Sequence, residues 1–197
     1  MSHRTAFRIA LAPIVLAASL SAGSKAFAQH DAAPAGVKGE ILMWISDAED
    51  KLGQLADAIP ESKYGWSPTK EVRTVRQVFM HVAAANFGIP GFIGIKAPEG
   101  FDFGAYEKSL TKKSDVMKAM KDSFTHMKAG LTAMSDADMD KPAELFGMKT
   151  THRGAYMLLM SHAHEHLGQS IAYARSIGVT PPWTAKEQAE EAKAKKK

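Results

Sequence analysis

The stretch Ser161-His162-Ala163-His164-Glu165-His166-Leu167-Gly168-Gln169 places three of the chain's eight histidines within five residues. On a helix, residues four apart share a face, with Cβ atoms about 5–6 Å apart. His162 and His166 have that spacing, while His164 between them points to another face. Two imidazoles so placed can reach one divalent ion, since zinc–nitrogen bonds are about 2.0–2.1 Å long. The flanks put the pair on an inward face. Ala155, Leu158, Leu159, His162, His166, Gln169, Tyr173 and Ile177 follow the three-and-four spacing of a buried stripe. Two readings are open on these residues alone. Either the pair holds a metal, or each ring is a core histidine whose donor and acceptor are satisfied by hydrogen bonds.

Composition narrows the chemistry. The 197 residues include no cysteine, which removes a thiolate ligand, a cysteine nucleophile, a covalent haem motif and any disulfide framework. A metal must therefore bind through His, Asp, Glu or water. The chain begins with Arg4 and Arg8, an apolar run from Ile9 to Leu20, and Ala26-Phe27-Ala28 before Gln29. A basic start, a short apolar stretch and a small-x-small exit describe a secretory signal peptide over residues 1–28. The expected location is therefore exported, periplasmic or secreted. No later run is long and apolar enough to span a bilayer. The formal charge of +4 shrinks once Arg4, Arg8 and Lys25 are removed, leaving 22 basic against 21 acidic residues. The tail, residues 184–197, holds five lysines and three glutamates, so without it the count is 17 against 18. The basic balance belongs to the two ends, and nucleic-acid binding loses its main support.

The elements that must position the histidines are helices. After a flexible lead-in, residues 29–36, a first helix is predicted from about Val37 to Ala58, with Ile41, Trp44, Ile45, Ala48 and Leu52 on its apolar face. Ile59-Pro60 ends it. The second helix is predicted to begin near Lys70 or Glu71, burying Val72, Val75, Val78, Phe79, Val82, Ala85 and Ile89, with His81 at the edge of that face. From Phe92 to Leu110 no period is clear, and a long connection, with room for a short helix, is expected. The third helix is predicted to begin after Thr111 or at Ser114, and its stripe runs from Val116 to Met134. Its many methionines read as core filler. Pro142 to Lys149 leads to the fourth helix, with Thr150-Thr151 as its cap and Gly178 as its stop. His126 falls off its helix's stripe, and His152 lies nearly three turns from His162, too far to share an ion. Four amphipathic segments without a convincing strand give an all-α chain, a four-helix bundle over residues 37–183, followed by a charged tail that is helical or frayed.

A histidine in helix two, within Val78-Phe79-Met80-His81-Val82-Ala83-Ala84-Ala85-Asn86, followed by His162-x-x-x-His166 and Gly168-Gln169 in helix four, resembles the DinB-like family of bacterial helical bundles. The closing Gly178-Val179-Thr180-Pro181-Pro182 is similar too, and the resemblance covers about Val37 to Trp183. It implies a divalent metal held by His81, His162 and His166 at one end of the bundle; three imidazoles suit zinc, nickel, iron or copper, and a transition metal, with zinc, nickel or iron first, is the expected choice. It also implies open coordination positions and, from relatives that are often dimers, a homodimer. Where the commonest family pattern has a second histidine and an arginine around the last ligand, this chain has Glu165 and Leu167. Characterised relatives include thiol-dependent transferases, and export would separate this chain from cytoplasmic thiols. Gln169, one turn from His166, and Asn86 are the expected supports of the ligand rings. The resulting expectation is an exported metal-dependent hydrolase or transferase with a small-molecule substrate of unknown identity. The alternative is a non-catalytic metal- or ligand-binding bundle, recognisable by a closed coordination sphere.

Overall fold

Helical periodicity in four long segments becomes four long helices packed side by side. The computed structural model describes residues 36–196. The expected signal peptide, and the lead-in up to residue 35, lie outside the described residues. The bundle consists of α1 (Gly36–Ala58), α2 (Val75–Gly88), α4 (Lys113–Ala133) and α6 (His152–Ser176). Shorter elements sit between and after them: α3 (Phe103–Ser109), α5 (Asp136–Met139), the antiparallel strands β1 (Pro142–Leu145) and β2 (Met148–Thr151), and α7 (Pro182–Ala194). The main packing seams are α2 with α4, α1 with α6, α1 with α4, and α2 with α6. Ile45, Leu52, Phe79, Phe124, Met127 and Tyr156 are fully buried where these seams meet. Each large apolar side chain so buried contributes about 1.5–3 kcal/mol relative to exposure. No helix among the described residues is long and apolar enough to cross a membrane.

The second helix starts later than its hydrophobic pattern suggests. Thr74 and Gln77 form a reciprocal cap: Thr74 Oγ accepts from Gln77 N–H at 3.3 Å, and Gln77 Oε1 accepts from Thr74 N–H at 3.0 Å. Val75 and Arg76 donate their backbone N–H groups to Trp66 and Tyr64 carbonyls, both at 2.9 Å, so the preceding connection satisfies the helix's first donors. Val72 is left outside the helix and 40% exposed, where the sequence pattern predicts burial. Tyr64 is buried, donates to Ala56 O at 2.6 Å, and ties this connection to the end of α1.

Three further expectations change. Trp44 lies on α1 but half-exposed rather than in the core. The third long helix, α4, begins at Lys113, within the expected range after Thr111 and up to Ser114, although Lys112 gives it no side-chain cap. The segment from Pro142 carries a two-stranded hairpin where no strand is expected, with Leu145 opposite Met148 across a tight turn at Phe146-Gly147. Both turn residues have positive φ, 52° and 81°, as the turn requires. The expected charged tail from residue 184 is continuous with α7, which already begins at Pro182. The predicted ends of α6 hold: Thr151 Oγ1 accepts from Gly154 N–H at 3.1 Å, and Gly178 follows the last turn at φ 80°.

Candidate metal centre

On α2, His81 faces α6. On α6, His162 and His166 occupy successive turns of the face turned toward α2. The three rings pack together, with centroids 5.0 Å apart for the tilted pair His81–His162, and 4.9 Å for His81–His166 and 4.4 Å for His162–His166, both edge to face. Their Nε2 atoms converge: His162 Nε2 is 3.1 Å from His81 Nε2 and 3.2 Å from His166 Nε2. Three zinc-type bonds of about 2.0–2.1 Å at tetrahedral angles would separate the nitrogens by about 3.3–3.4 Å. The two separations from His162 are therefore close to the spacing that a shared ion requires. Among the described residues it is the group of three ligand side chains with donor atoms all within 4.8 Å of one another.

The far nitrogens decide which lone pairs are free. His81 Nδ1 lies 3.1 Å from Glu107 Oε2. An ionised carboxylate only accepts, so His81 Nδ1 carries the hydrogen and Nε2 keeps its lone pair. His166 Nδ1 lies 2.8 Å from Gln169 Oε1. The amide's orientation is set by its other end, where Gln169 Nε2 donates to Tyr173 OH at 3.0 Å, and Tyr173 OH donates to Arg73 O at 3.2 Å. His166 Nδ1 is thus also the donor, and His166 Nε2 is free. Two of the three rings are held in the tautomer a metal needs. His162 Nδ1 is buried without a partner.

At His162 and His81 the electrostatics favour the neutral ring. Burial, then the neighbouring His166 and His81 and the Arg73 charge, lowers the His162 pKa to about 3. Burial and Arg73 also lower that of His81, against the opposing pull of Glu107. At Glu107 burial pushes the carboxyl up. The hydrogen bond and charge of Arg73, with those of His81, outweigh it and hold the group below the usual carboxylate range. Arg73 grips Glu107 through Nε at 2.6 Å and Nη2 at 3.4 Å. Neutral imidazoles are the form that ligates a metal.

Of the side chains expected at the site, His81, His162, His166 and Gln169 come together, and Asn86 does not. Asn86 is wholly buried on the seam between α2 and α4, where its Nδ2 donates to Ser123 Oγ at 3.2 Å. Five residues on from His81, it is rotated away from α6 toward α4. His164 points outward, donating from Nδ1 to Met160 O at 2.8 Å beside Trp44, and Glu165 is exposed. His126 lies against Phe87, with centroids 5.3 Å apart. Sequence reasoning missed Glu107 and Arg73. Glu107 lies 26 residues from His81 in a connection without periodicity, so no spacing joins them. A cavity of about 540 Å³ is lined by Lys70, Glu71, Arg73, Gln77, Glu107 and Gln169, and so abuts the two side chains that hold the ligand rings. A larger one, about 790 Å³, lies between α1 and α4 over Met117, Met120 and Phe124 and includes none of the three histidines.

The family model described as "DinB family" matches residues 29–197. The chain belongs to the DinB family. Solved members of similar fold include a DinB-like protein from Bacillus cereus, with a TM-score of 0.64, 18% identity, and 72% of this chain and 93% of that one covered. YjoA from Bacillus subtilis, a DinB-like protein, aligns with a TM-score of 0.57 at 20% identity over 72% of this chain and 93% of its own. YfiT from Bacillus subtilis, described as "a probable metal-dependent hydrolase with an unusual four-helix bundle topology", aligns with a TM-score of 0.59 at 17% identity over 73% of this chain and 89% of its own. At these identities the likeness establishes the DinB fold. No protein of curated function matches the sequence.

Proposed function

We propose that the chain is an exported metal-dependent hydrolase acting on a small polar molecule, with one divalent transition metal held by His81, His162 and His166. The convergence of three Nε2 atoms carries this reading, because the outward nitrogens of His81 and His166 are already engaged as donors. The donor set fits zinc, nickel or iron, since imidazole suits all three. YfiT's description as a metal-dependent hydrolase supports the hydrolytic choice over transfer. The basic, apolar and small-residue run of residues 1–28 supports export.

When bound, such an ion supplies Lewis-acid chemistry, polarising a carbonyl or phosphoryl oxygen and acidifying water toward a pKa of about 7 in favourable zinc cases. The chain's own residues prepare the site. Glu107 and Gln169 hold the hydrogen on the Nδ1 atoms of His81 and His166, and keep both Nε2 lone pairs pointed inward. Tyr173 fixes the Gln169 amide so that it cannot turn its NH2 toward His166. Lys70, Arg73, Gln77 and Glu71 give the adjoining cavity a polar wall of both charge signs, suited to a small polar substrate.

The test is a turnover screen of the zinc-, nickel- or iron-loaded protein against small esters, amides and phosphoesters, beside His81→Ala. Hydrolysis that disappears with chelator, returns with metal and is missing in His81→Ala is the expected result. Bound metal with no turnover of any substrate would instead leave a non-catalytic metal-binding bundle.

A further inference from the structure

We propose that Glu107 is a positioning residue that sets the strength of His81 as a ligand, and that α3 is the element that delivers it. The inference rests on the metal reading above. The three rings are not equivalently supported. His81 faces a carboxylate, His166 faces a neutral amide, and His162 Nδ1 has no partner. A carboxylate on Nδ1–H makes the opposite nitrogen a stronger donor and fixes the ring's rotation, and a neutral amide does the second but little of the first.

Separate features of the fold place this one carboxylate. Arg73, just before α2, binds both Glu107 oxygens, leaving Oε2 directed at His81 Nδ1. Asp102 caps α3 by accepting from Ala105 N–H at 2.7 Å. Phe103, in the first turn of α3, sets its ring edge-on to His81 at 5.9 Å. The same ring lies so close to α2 that a Cβ at Gly88 would meet Phe103 Cδ2 at 3.0 Å. Glycine at 88 thus lets α3 lie directly on α2. The bland alternative is a surface ion pair whose nearness to His81 is incidental. The Glu107 side chain is only 16% exposed, and Arg73, at 42%, is the outer partner. A partly exposed pair of this kind contributes little by itself, and its removal would leave metal affinity alone.

The two are separated by measuring zinc affinity, by chelator competition, for the wild-type chain, Glu107→Gln, Glu107→Ala and Gln169→Ala, with circular dichroism to confirm folding. Glu107→Ala is expected to weaken zinc binding by about 10- to 100-fold. Glu107→Gln, which keeps an acceptor for Nδ1–H but loses the charge, falls between Glu107→Ala and wild type. Gln169→Ala weakens binding less than Glu107→Ala. With cobalt in place of zinc, the visible absorption bands shift in the Glu107 variants, a change an incidental ion pair would not produce. Zinc affinity and cobalt bands unchanged in folded Glu107→Ala and Glu107→Gln would overturn this inference alone. A wild-type chain that takes up no zinc, nickel, cobalt or iron would overturn the metal reading and this inference with it.

Discussion

Two polar clusters share helix α2 and differ in where their lone pairs point. Asn86, wholly buried against α4, donates to Ser123 Oγ, which donates in turn to Met120 O at 2.7 Å. That chain of bonds ends on the backbone, and the one atom left over is a single amide oxygen, Oδ1. One and a half turns earlier, His81 meets His162 and His166 with the outward nitrogens of two rings tied to Glu107 and Gln169 and the inward nitrogens facing one another. Both clusters are polar groups inside a bundle. A buried polar residue is commonplace once it is bonded. What distinguishes a candidate site is unspent donor atoms converging on one point, with the rest of each side chain held so that they stay there.

The contrast is open to direct attack. The largest expected effect is metal-linked stability. Zinc at 100 times its dissociation constant should stabilise the wild-type chain by about 2.7 kcal/mol, on the order of 5–10 °C in Tm. Asn86→Ala should keep the whole of that shift, and His162→Ala should lose it. A shift lost equally in Asn86→Ala would mean that the two clusters act as one unit.

Acid should separate them next. His162 has its pKa lowered by burial from the ordinary 6.5 to about 3, so the unfolded chain takes up a proton in this range that the folded chain refuses. The metal-free protein is therefore fully stable with respect to this group above pH about 6.5 and loses stability as pH falls toward 3. A Tm series from pH 7 to pH 4 should fall in wild type and fall less in His162→Gln. Parallel curves for the two proteins would contradict the assignment. Asn86→Ala, lacking a titratable group, should run parallel to wild type at every pH.

The smallest effect belongs to Asn86 itself. Its replacement by alanine removes one hydrogen bond and one unpartnered acceptor, and should cost about 1 kcal/mol in urea unfolding. A loss several times larger would assign that seam a structural weight beyond one bonded pair.

Much of this arrangement is legible in the chain because helices write their buried faces at a regular spacing. The limits of α1, the Thr151 cap and the Gly178 stop of α6, and the pairing of His162 with His166 all follow from residues within a turn or two of each other. His81 enters through family resemblance, since no spacing connects helix two with helix four. The first turn of α2 is misplaced when Val72 is counted by hydrophobicity, although Thr74-x-x-Gln77 carries the capping signal. The hairpin is hidden because its strands are four residues each, the first, Pro142 to Leu145, holds no β-branched residue, and its turn uses Phe146 where Asn or Asp is usual. Asn86 shows the opposite failure. Its nearness to His81 in sequence suggests a shared site, but five residues on a helix rotate it to the α4 side. Glu107 is legible nowhere locally, for it reaches His81 only through the fold of the connection that carries α3.

The most direct test of the account is the metal content of the purified full-length chain, by inductively coupled plasma mass spectrometry, beside a His162→Ala/His166→Ala control that is folded by circular dichroism. The account predicts about one divalent transition metal per chain in the wild type and essentially none in the control. A wild-type chain that carries no metal and takes up none on dialysis against zinc, nickel or iron would contradict it, and would leave three hydrogen-bonded histidines inside a DinB bundle.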